Sequence, residues 1–408
     1  MTKNSAALPT RRRSRRTQQN DLTENNDARD VFRLLRNRSF GTRTEVERLF
    51  NLSPSRFRAA VTHLLRNGLL VAPHQDGQDA AQRPVFPRAN AGYGHVVGVD
   101  IGGSNLRIAL ADMSGTILGK WSASTKQTSS PRMVIAQIRD GVSETLRATS
   151  VPRSSLQAIA VGAPGLTNAT KGEVLATSYL KGWRDVPLRS LLESALHIPT
   201  AVENDVRMAA IGENWMGAAR GIKNFAFLAI GTGIAAGIFI NGKLLHGSDW
   251  AAGEVGYMLV PGTPQVAAKR SMPGSLESII GGEGIKLQWQ RSVNGKRVRQ
   301  PQVLAATEIF DRAHAGDRQA KRVLETSAHL LAYAVYNISL VLDCSLFVLG
   351  GGVGMSKPLF NATKNVLARF KEPSVPKLAL SKLGPDAQLM GAIRLALDKS
   401  ESHIGLKI

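Results

Sequence analysis

A unit of strand, glycine turn and returning strand occurs twice in this chain, and that repetition limits the possible folds more than any other feature. His95-Val-Val-Gly-Val-Asp-Ile-Gly-Gly is an apolar run ending in glycines, and Leu106 to Met113 returns from it. Short apolar runs bounded by turn residues read as buried strands. Thr116 to Ser122 reads as a third strand, followed by a helix over 132–149 and a strand over 156–163. The second half opens in the same way, with Phe225 to Ile230, Gly231-Thr232-Gly233 and Ile234 to Ile240. It adds a strand and three glycines at Leu346 to Gly352. Two such units predict an internally duplicated α/β fold with a cleft between its lobes.

Gly231-Thr232-Gly233 with Ala236 also satisfies G-x-G-x-x-A, the dinucleotide fingerprint. That fingerprint requires a helix after the turn, whereas Ala236 to Ile240 reads as a strand, so the dinucleotide reading is rejected. No G-x-x-x-x-G-K-[ST] string occurs.

The 408 residues include 52 Lys and Arg against 31 Asp and Glu, a net charge of +21 that favours a polyanionic partner. The excess is uneven, because residues 1–90 hold 17 basic against 8 acidic residues. A lone cysteine, Cys344, excludes a disulfide framework and any thiolate-rich zinc site, and reads as an inert buried thiol. With no apolar run near the ~20 residues that span a bilayer, and no signal-peptide core, the expected location is the cytoplasm.

Residues 1–25 read as a disordered basic arm. Arg11, Arg12 and Arg13, with Arg15 and Arg16, lie among polar residues there, as a solubilising tail or as an arm that tracks DNA phosphates. Residues 26–90 read as a DNA-binding domain and linker. Val31, Phe32, Leu34 and Leu35 give a first helix, and Thr42 with Glu45 forms a capping box for a second. Ser53-Pro54 starts a third, with an apolar stripe of Phe57, Val61, Leu64 and Leu65 and a stop at Gly68. Leu69 to Val71, a turn at Asp76-Gly77, and Arg83 to Phe86 then form a hairpin. This order predicts a winged helix-turn-helix whose third helix presents Ser55, Arg56, Arg58 and Thr62 to base edges. The alternative is that Arg56 and Arg58 solvate an exposed face. Pro87 to Gly94 reads as a linker.

In the second region, Asp100 ends a strand and is followed by Gly102, Gly103 and Ser104. Glycines allow backbone N–H groups to approach phosphate, and a carboxylate beside them can hold magnesium through water; a plain hairpin is the alternative. Glu203-Asn204-Asp205 ends a strand and opens a helix, and Glu254 lies in a glycine-rich loop. Asp205 is placed to accept a proton from a substrate hydroxyl, or to cap the helix, and Asn with Glu can fork to vicinal hydroxyls.

These residues, taken together, resemble the ROK family (repressors, open reading frames and kinases) along nearly the whole chain. VGVDIGGSNLRIAL is similar to its first phosphate loop, VGAPGLT to its sugar-side glycine turn and VENDVRMAAIGE to its catalytic-aspartate segment. AIGTGIAAGIFINGKLLHG is similar to its second phosphate loop, with AGEVGYM, SLESIIGG and FVLGGGV following in order. The N-terminal segment resembles the family's repressor branch. The resemblance implies an actin-like, two-lobed sugar-kinase/ATPase fold, with residues 91–205 and 385–408 in a small lobe and 206–384 in a large one. It implies a sugar site from Gly165, Asn204, Asp205, Glu254 and Glu277. Asp205 would be general base if the chain is a kinase, with Mg-ATP cradled by Asp100, Gly102, Gly103, Ser104, Gly231, Thr232, Gly233 and Gly351.

The departures from the family pattern are informative. Tyr257 stands where the family usually has a histidine that contacts sugar and zinc. Ala268, Arg270 and Ser275 stand at cysteine positions, so no structural zinc is expected and no other metal. Ala235 and Ala236 replace glycines common in kinases and would crowd a phosphate. Arg207 and Tyr179 replace asparagines near the sugar. Arg207 either faces solvent or supplies charge to a sugar phosphate or sugar acid. The expectation is a sugar-responsive transcriptional regulator, a repressor in sign, acting on double-stranded DNA as a homodimer or tetramer without membrane contact or resident cofactor. The alternatives are an active sugar kinase with an accessory DNA-binding domain, and a ligand-free scaffold.

Overall fold

A computed structural model of the chain describes residues 26–33, 35–36, 53–72, 87–125, 130–177, 180–264, 273–294, 304–370 and 375–401. The arm with Arg11, Arg12 and Arg13, the capping box at Thr42, the turn at Asp76-Gly77, and Tyr179, Ala268 and Arg270 lie outside them. No described helix is long and apolar enough to cross a membrane.

The N-terminal part begins with a helix α1 within 26–36, which buries Ala28, Val31, Phe32 and Leu35. Helix α2 (Pro54–Arg66) starts where Ser53 accepts the Arg56 N–H and Pro54 needs no partner for its nitrogen. Its buried stripe is Phe57, Ala60 and Leu64. Leu65, expected in that stripe, is exposed, and Ala60 takes its place because the buried face follows i, i+3, i+7. Gly68 ends the helix at φ +71°.

Strand β1 (Leu70–Val71) pairs antiparallel with β2 (Arg88–Ala89), so part of the segment expected as a linker is the second strand of the hairpin. Asn90 fixes the exit from this pairing, donating to the Gly68 carbonyl and accepting the Gly92 N–H. Residues 83–86, expected as that strand, are outside the described ones.

Five strands form the first large sheet: β3 (His95–Ile101), β4 (Asn105–Asp112), β5 (Ile117–Ser124), β6 (Leu156–Ala163) and, after the three-stranded β7 (Leu166–Asn168), β8 (Glu173–Ala176) and β9 (Arg184–Val186), β10 (Thr200–Asn204). Their order is β10-β6-β3-β4-β5. Helix α3 (Pro131–Thr149) covers one face and α4 (Leu188–Leu196) leads into β10. Helix α5 (Asp205–Met216) then passes to a second sheet of β11 (Phe225–Ile230), β12 (Ile234–Ile240), β13 (Lys243–Leu244), β14 (Leu346–Gly350) and β15 (Lys377–Leu380). Its order, β13-β12-β11-β14-β15, has the same pattern. In both sheets an antiparallel meander is extended by two parallel strands, reached through crossovers. The duplication expected from two strand–glycine–strand units is thus present in topology.

Helices α6 (Gly282–Asn294), α7 (Ala306–His314), α8 (Arg318–Leu342) and α9 (Lys357–Leu367) pack on the second sheet around Phe310, Leu331 and Phe347. Cys344 is buried in this core, and burial pushes its thiol up to about 11. Helix α10 (Ala387–Glu401) returns to pack on α5 and β3. It joins Phe32, Phe57 and Leu64 from the N-terminal helices and Val96 and Ala111 from the first sheet in one apolar cluster. Arg33 donates to Glu401 (2.8 Å), and Arg36 reaches Asp398 and Glu401.

Candidate functional site

The site begins at the carboxyl ends of β6 and β10, where crevices of open α/β sheets commonly form. Asn204 is the N-cap of α5, its Oδ1 accepting the Val206 and Arg207 N–H groups at 3.0 Å. The cap expected as one role of Asp205 therefore belongs to Asn204. Asp205, the first residue of the helix, keeps its carboxylate for other work. Its Oδ1 accepts only from Asn204 Nδ2 (3.0 Å) and its neighbour's Val206 N–H (2.9 Å) among the described hydrogen bonds. Asn204 Nδ2 also donates to the Gly165 carbonyl at 2.9 Å, which joins two expected sugar contacts directly. Gly165 holds φ +91°, and a Cβ there would lie 2.3 Å from the Ala176 carbonyl oxygen, so only glycine fits.

Carboxylates converge on Asp205. Burial, then the charges of Asp100 and Glu254, push its carboxyl up to about 7, against the Val206 N–H that favours ionisation. A carboxyl poised there can exchange a proton near neutral pH. Asp100 is 4% exposed and takes two hydrogen bonds from Arg107, at 3.0 and 2.6 Å. Burial raises its pKa and Arg107 opposes the rise. Arg107 reaches on to the Pro385 carbonyl (2.6 Å), just before α10.

Glu254 precedes the 3-10 turn Val255–Tyr257 and is exposed. Glu277 opens the short helix Glu277–Ile280. Its Oε2 accepts the Ile234 N–H at 2.8 Å, and burial raises its pKa. A Cβ on Gly256 would meet this carboxylate at 3.1 Å, which brings Glu277 beside the Glu254–Tyr257 turn. Glu277 thus ties the expected sugar side to the second glycine turn. That turn is closed by Gly231 N–H to Gly233 O, and Gly282 N–H donates to Gly231 O at 2.7 Å. Space around Gly231 is open, whereas a Cβ on Gly351, at φ +78°, would lie 2.5 Å from the Ile230 carbonyl oxygen. Gly102 donates to the Asn105 carbonyl, and Gly103 and Ser104 complete that turn.

Two expectations are corrected here. Ala235 and Ala236 are not in the phosphate turn but within β12, opposite Ala229 and Leu228. The Ala236 methyl is buried in the lobe core and turned away from Gly231, whereas Ala235, on the other face of the strand, is partly exposed. Arg207 does not face solvent. It is 2% exposed and donates to Glu203 Oε1 (2.8 Å), the Trp250 carbonyl (3.0 Å) and the Thr167 carbonyl (2.8 Å). Each of its three nitrogens donates to an acceptor of the protein, so the guanidinium is turned inward and ties these segments together.

On α2, Ser55, Arg58 and Thr62 are exposed. Arg56 is exposed as well, and its Nε and Nη2 fork onto Asp27 of α1 at 2.8 and 2.7 Å. Among the described residues no group of three His, Cys, Asp or Glu could hold a metal, and Ser275 is buried. Sequence reasoning missed His246, Trp250 and Arg107 and gave Glu203 no role of its own. Trp250 sits at φ +62°, a conformation that a sequence does not announce for tryptophan.

Residues 96–399 match the model of the ROK family. The chain belongs to the ROK family. A glucokinase of Halalkalibacterium halodurans is 32% identical over 72% of this chain and 92% of its own. A xylose repressor of Caldicellulosiruptor bescii is 23% identical over 87% of this chain and 91% of its own. A solved ROK family transcriptional regulator, a homologue of the E. coli MLC protein, superposes over 95% of this chain and 100% of its own, with a TM-score of 0.79 at 20% identity.

Proposed function

We propose that this ROK protein is a sugar-responsive transcriptional regulator, a repressor in sign. An N-terminal winged helix-turn-helix reads a double-stranded operator, and the ROK module takes a sugar or sugar phosphate in the interlobe cleft. One observation carries the reading: similarity to the repressor and to the regulator extends over 87% and 95% of the chain, whereas similarity to the glucokinase covers 72%. The family model begins at residue 96, so the basic first ninety residues, where α2 exposes Ser55, Arg58 and Thr62, lie outside it. In this reading the sugar hydroxyls bond to Asn204, Asp205, Glu254 and Glu277 beside Gly165, with Tyr257 in the same turn. Homodimers or tetramers present two recognition helices to a pseudo-palindrome, and sugar shifts the population toward a state with the wrong helix spacing. The working location is the cytoplasm.

A second reading, an ATP-dependent sugar kinase, is favoured by the Asp205 carboxyl near 7 and by relatives that include the glucokinase. The glycine turns fit a nucleotide phosphate, since Gly231 faces open space and Gly351 holds a left-handed conformation. Gly102, Gly103, Ser104, Gly231, Thr232, Gly233 and Gly351 would cradle the phosphates, and Asp100 would hold magnesium through water. Mg-ATP supplies a phosphoryl group when bound. Asp205 would take the proton from the accepting hydroxyl.

The test is fluorescence anisotropy on DNA upstream of the protein's own gene at fixed salt, with glucose, xylose, N-acetylmannosamine and their phosphates. Specific binding released by one ligand supports the regulator. Only salt-sensitive, sequence-blind binding refutes it, and ATP turnover lost in Asp205→Asn would then establish the kinase.

A further inference from the structure

Three segments border the candidate sugar site, and one buried side chain touches all three. The Arg207 guanidinium reaches Thr167, two residues after Gly165, Glu203, next to Asn204, and Trp250, four residues before Glu254. A guanidinium holds its donors in a fixed planar fork, so it sets the relative positions of separate acceptors as a flexible ammonium cannot.

A second observation points the same way. Trp250 is held at φ +62°, which a bulky side chain adopts only where its surroundings over-determine it. Its carbonyl is bound by Arg207, and its ring meets His246 edge-on at 5.1 Å between centroids. His246 in turn places Nε2 2.7 Å from Glu203 Oε2, while Arg207 occupies Oε1 of the same carboxylate. The strained loop is thus fastened at two points to one buried ion pair.

We propose that Arg207 is a positioning residue of the sugar site, which fixes the 165–167 and 246–254 segments in their ligand-ready arrangement without touching the ligand. The proposal rests on the sugar reading of that site, in its regulator or kinase form. Without the guanidinium each segment keeps only its separate tie to β10, Asn204 to the Gly165 carbonyl and Glu203 to His246, and fixing the two relative to each other is charged against binding.

Isothermal titration of the full chain with glucose, xylose and N-acetylmannosamine tests it. Arg207→Lys keeps a cation beside Glu203 but loses the fork. The expected result is at least tenfold weaker binding of the sugar that the wild type takes, with a melting temperature no lower than that of Arg33→Lys, a loss of fork at a remote ion pair. Affinity within twofold of wild type overturns the proposal, as does a loss of melting temperature with no loss of affinity. Should Arg207→Lys not fold, hydrogen exchange on the wild type decides. Sugar must protect the amides of 165–168 and 246–254 together, and protection of one segment alone overturns the coupling. A wild type that binds none of the three sugars overturns the sugar reading itself and the proposal with it, a failure visible in the wild-type titration alone.

Discussion

Asp205→Asn removes a charge from the cleft while keeping the hydrogen bonds that shape it. An asparagine Oδ1 can accept from Asn204 Nδ2 and from Val206 N–H as the aspartate oxygen does. In the folded chain the Asp205 carboxyl titrates near 7, raised from 3.8 by burial and by Asp100 and Glu254. The unfolded chain gives it up near 3.8, so between these values the folded state binds the extra proton. Stability from this group is complete below pH 3.8, falls as pH rises toward 7, and is flat beyond. The full displacement corresponds to about 4 kcal/mol, a ceiling because the residue keeps partial solvent contact. Asp205→Asn escapes this loss. Its gain over wild type should be about 1–2 kcal/mol at pH 5 and up to about 4 kcal/mol at pH 8. Urea titrations of both proteins at the two pH values, at one ionic strength, read the difference. A gain equal at pH 5 and pH 8, or larger at pH 5, would refute the picture of a carboxyl held near neutrality by its neighbours.

Three other perturbations act on particular contacts. Arg58→Ala should lower the slope of log affinity against log salt by about 1 if the side chain meets a phosphate, or relax one base position at a cost of about 1–3 kcal/mol; anisotropy over a salt series distinguishes these from no effect. Arg56→Ala and Asp27→Ala should weaken DNA binding equally and the double variant no further, since they are two halves of one fork, and additive losses would return Arg56 to direct readout. Glu401→Gln leaves the buried Arg36 side chain with Asp398 as its one remaining carboxylate and takes the charged partner from Arg33, which should cost about 1–3 kcal/mol at the joint between α1 and α10. DNA binding should then fail at a temperature where sugar titration still succeeds.

The fold was legible where period and punctuation agreed. His95 to Ile101, Leu156 to Ala163 and Leu346 to Gly350 are apolar runs closed by turn residues, and each is a strand. Ser53-Pro54 and Gly68 bracket α2 because capping and left-handed stops are local chemistry. The Arg88–Ala89 strand was not legible, since a two-residue pairing with Leu70–Val71 depends on a partner rather than on a pattern. Asn204, Asp205 and Gly165 could be proposed as one site from family motifs, but which of Asn204 and Asp205 caps the helix depends on geometry. Arg207 was misjudged for a related reason. A helical arginine is usually solvated, and nothing local reveals that Glu203, Thr167 and Trp250 assemble around it. Ala236 was misjudged because strand parity, which turns its methyl into the core, is fixed by pairing with β11.

How the cleft of the proposed regulator could speak to the N-terminal helices depends on which groups share α10. Near its start, Arg107 bridges Asp100 and the Pro385 carbonyl and approaches Gln388. At its end, Asp398 and Glu401 hold Arg36 and Arg33 of α1. Fifteen helical residues separate these points by about 22 Å, and their apolar face packs with Phe32, Phe57 and Leu64 in one cluster. The N-terminal helices are therefore seated on the first lobe, and in the proposed regulator they would move with it. A ligand that turns this lobe against the other would carry the recognition helices through the same rotation, and an oligomer would read that rotation as a change in spacing. Such a coupling must be reciprocal. If a sugar weakens operator binding tenfold, the operator must weaken sugar binding tenfold, about 1.4 kcal/mol in either direction. Titrating sugar into the protein with and without operator DNA measures the second half of that equality, and unequal factors would place the sugar's effect outside a two-state rotation of this lobe.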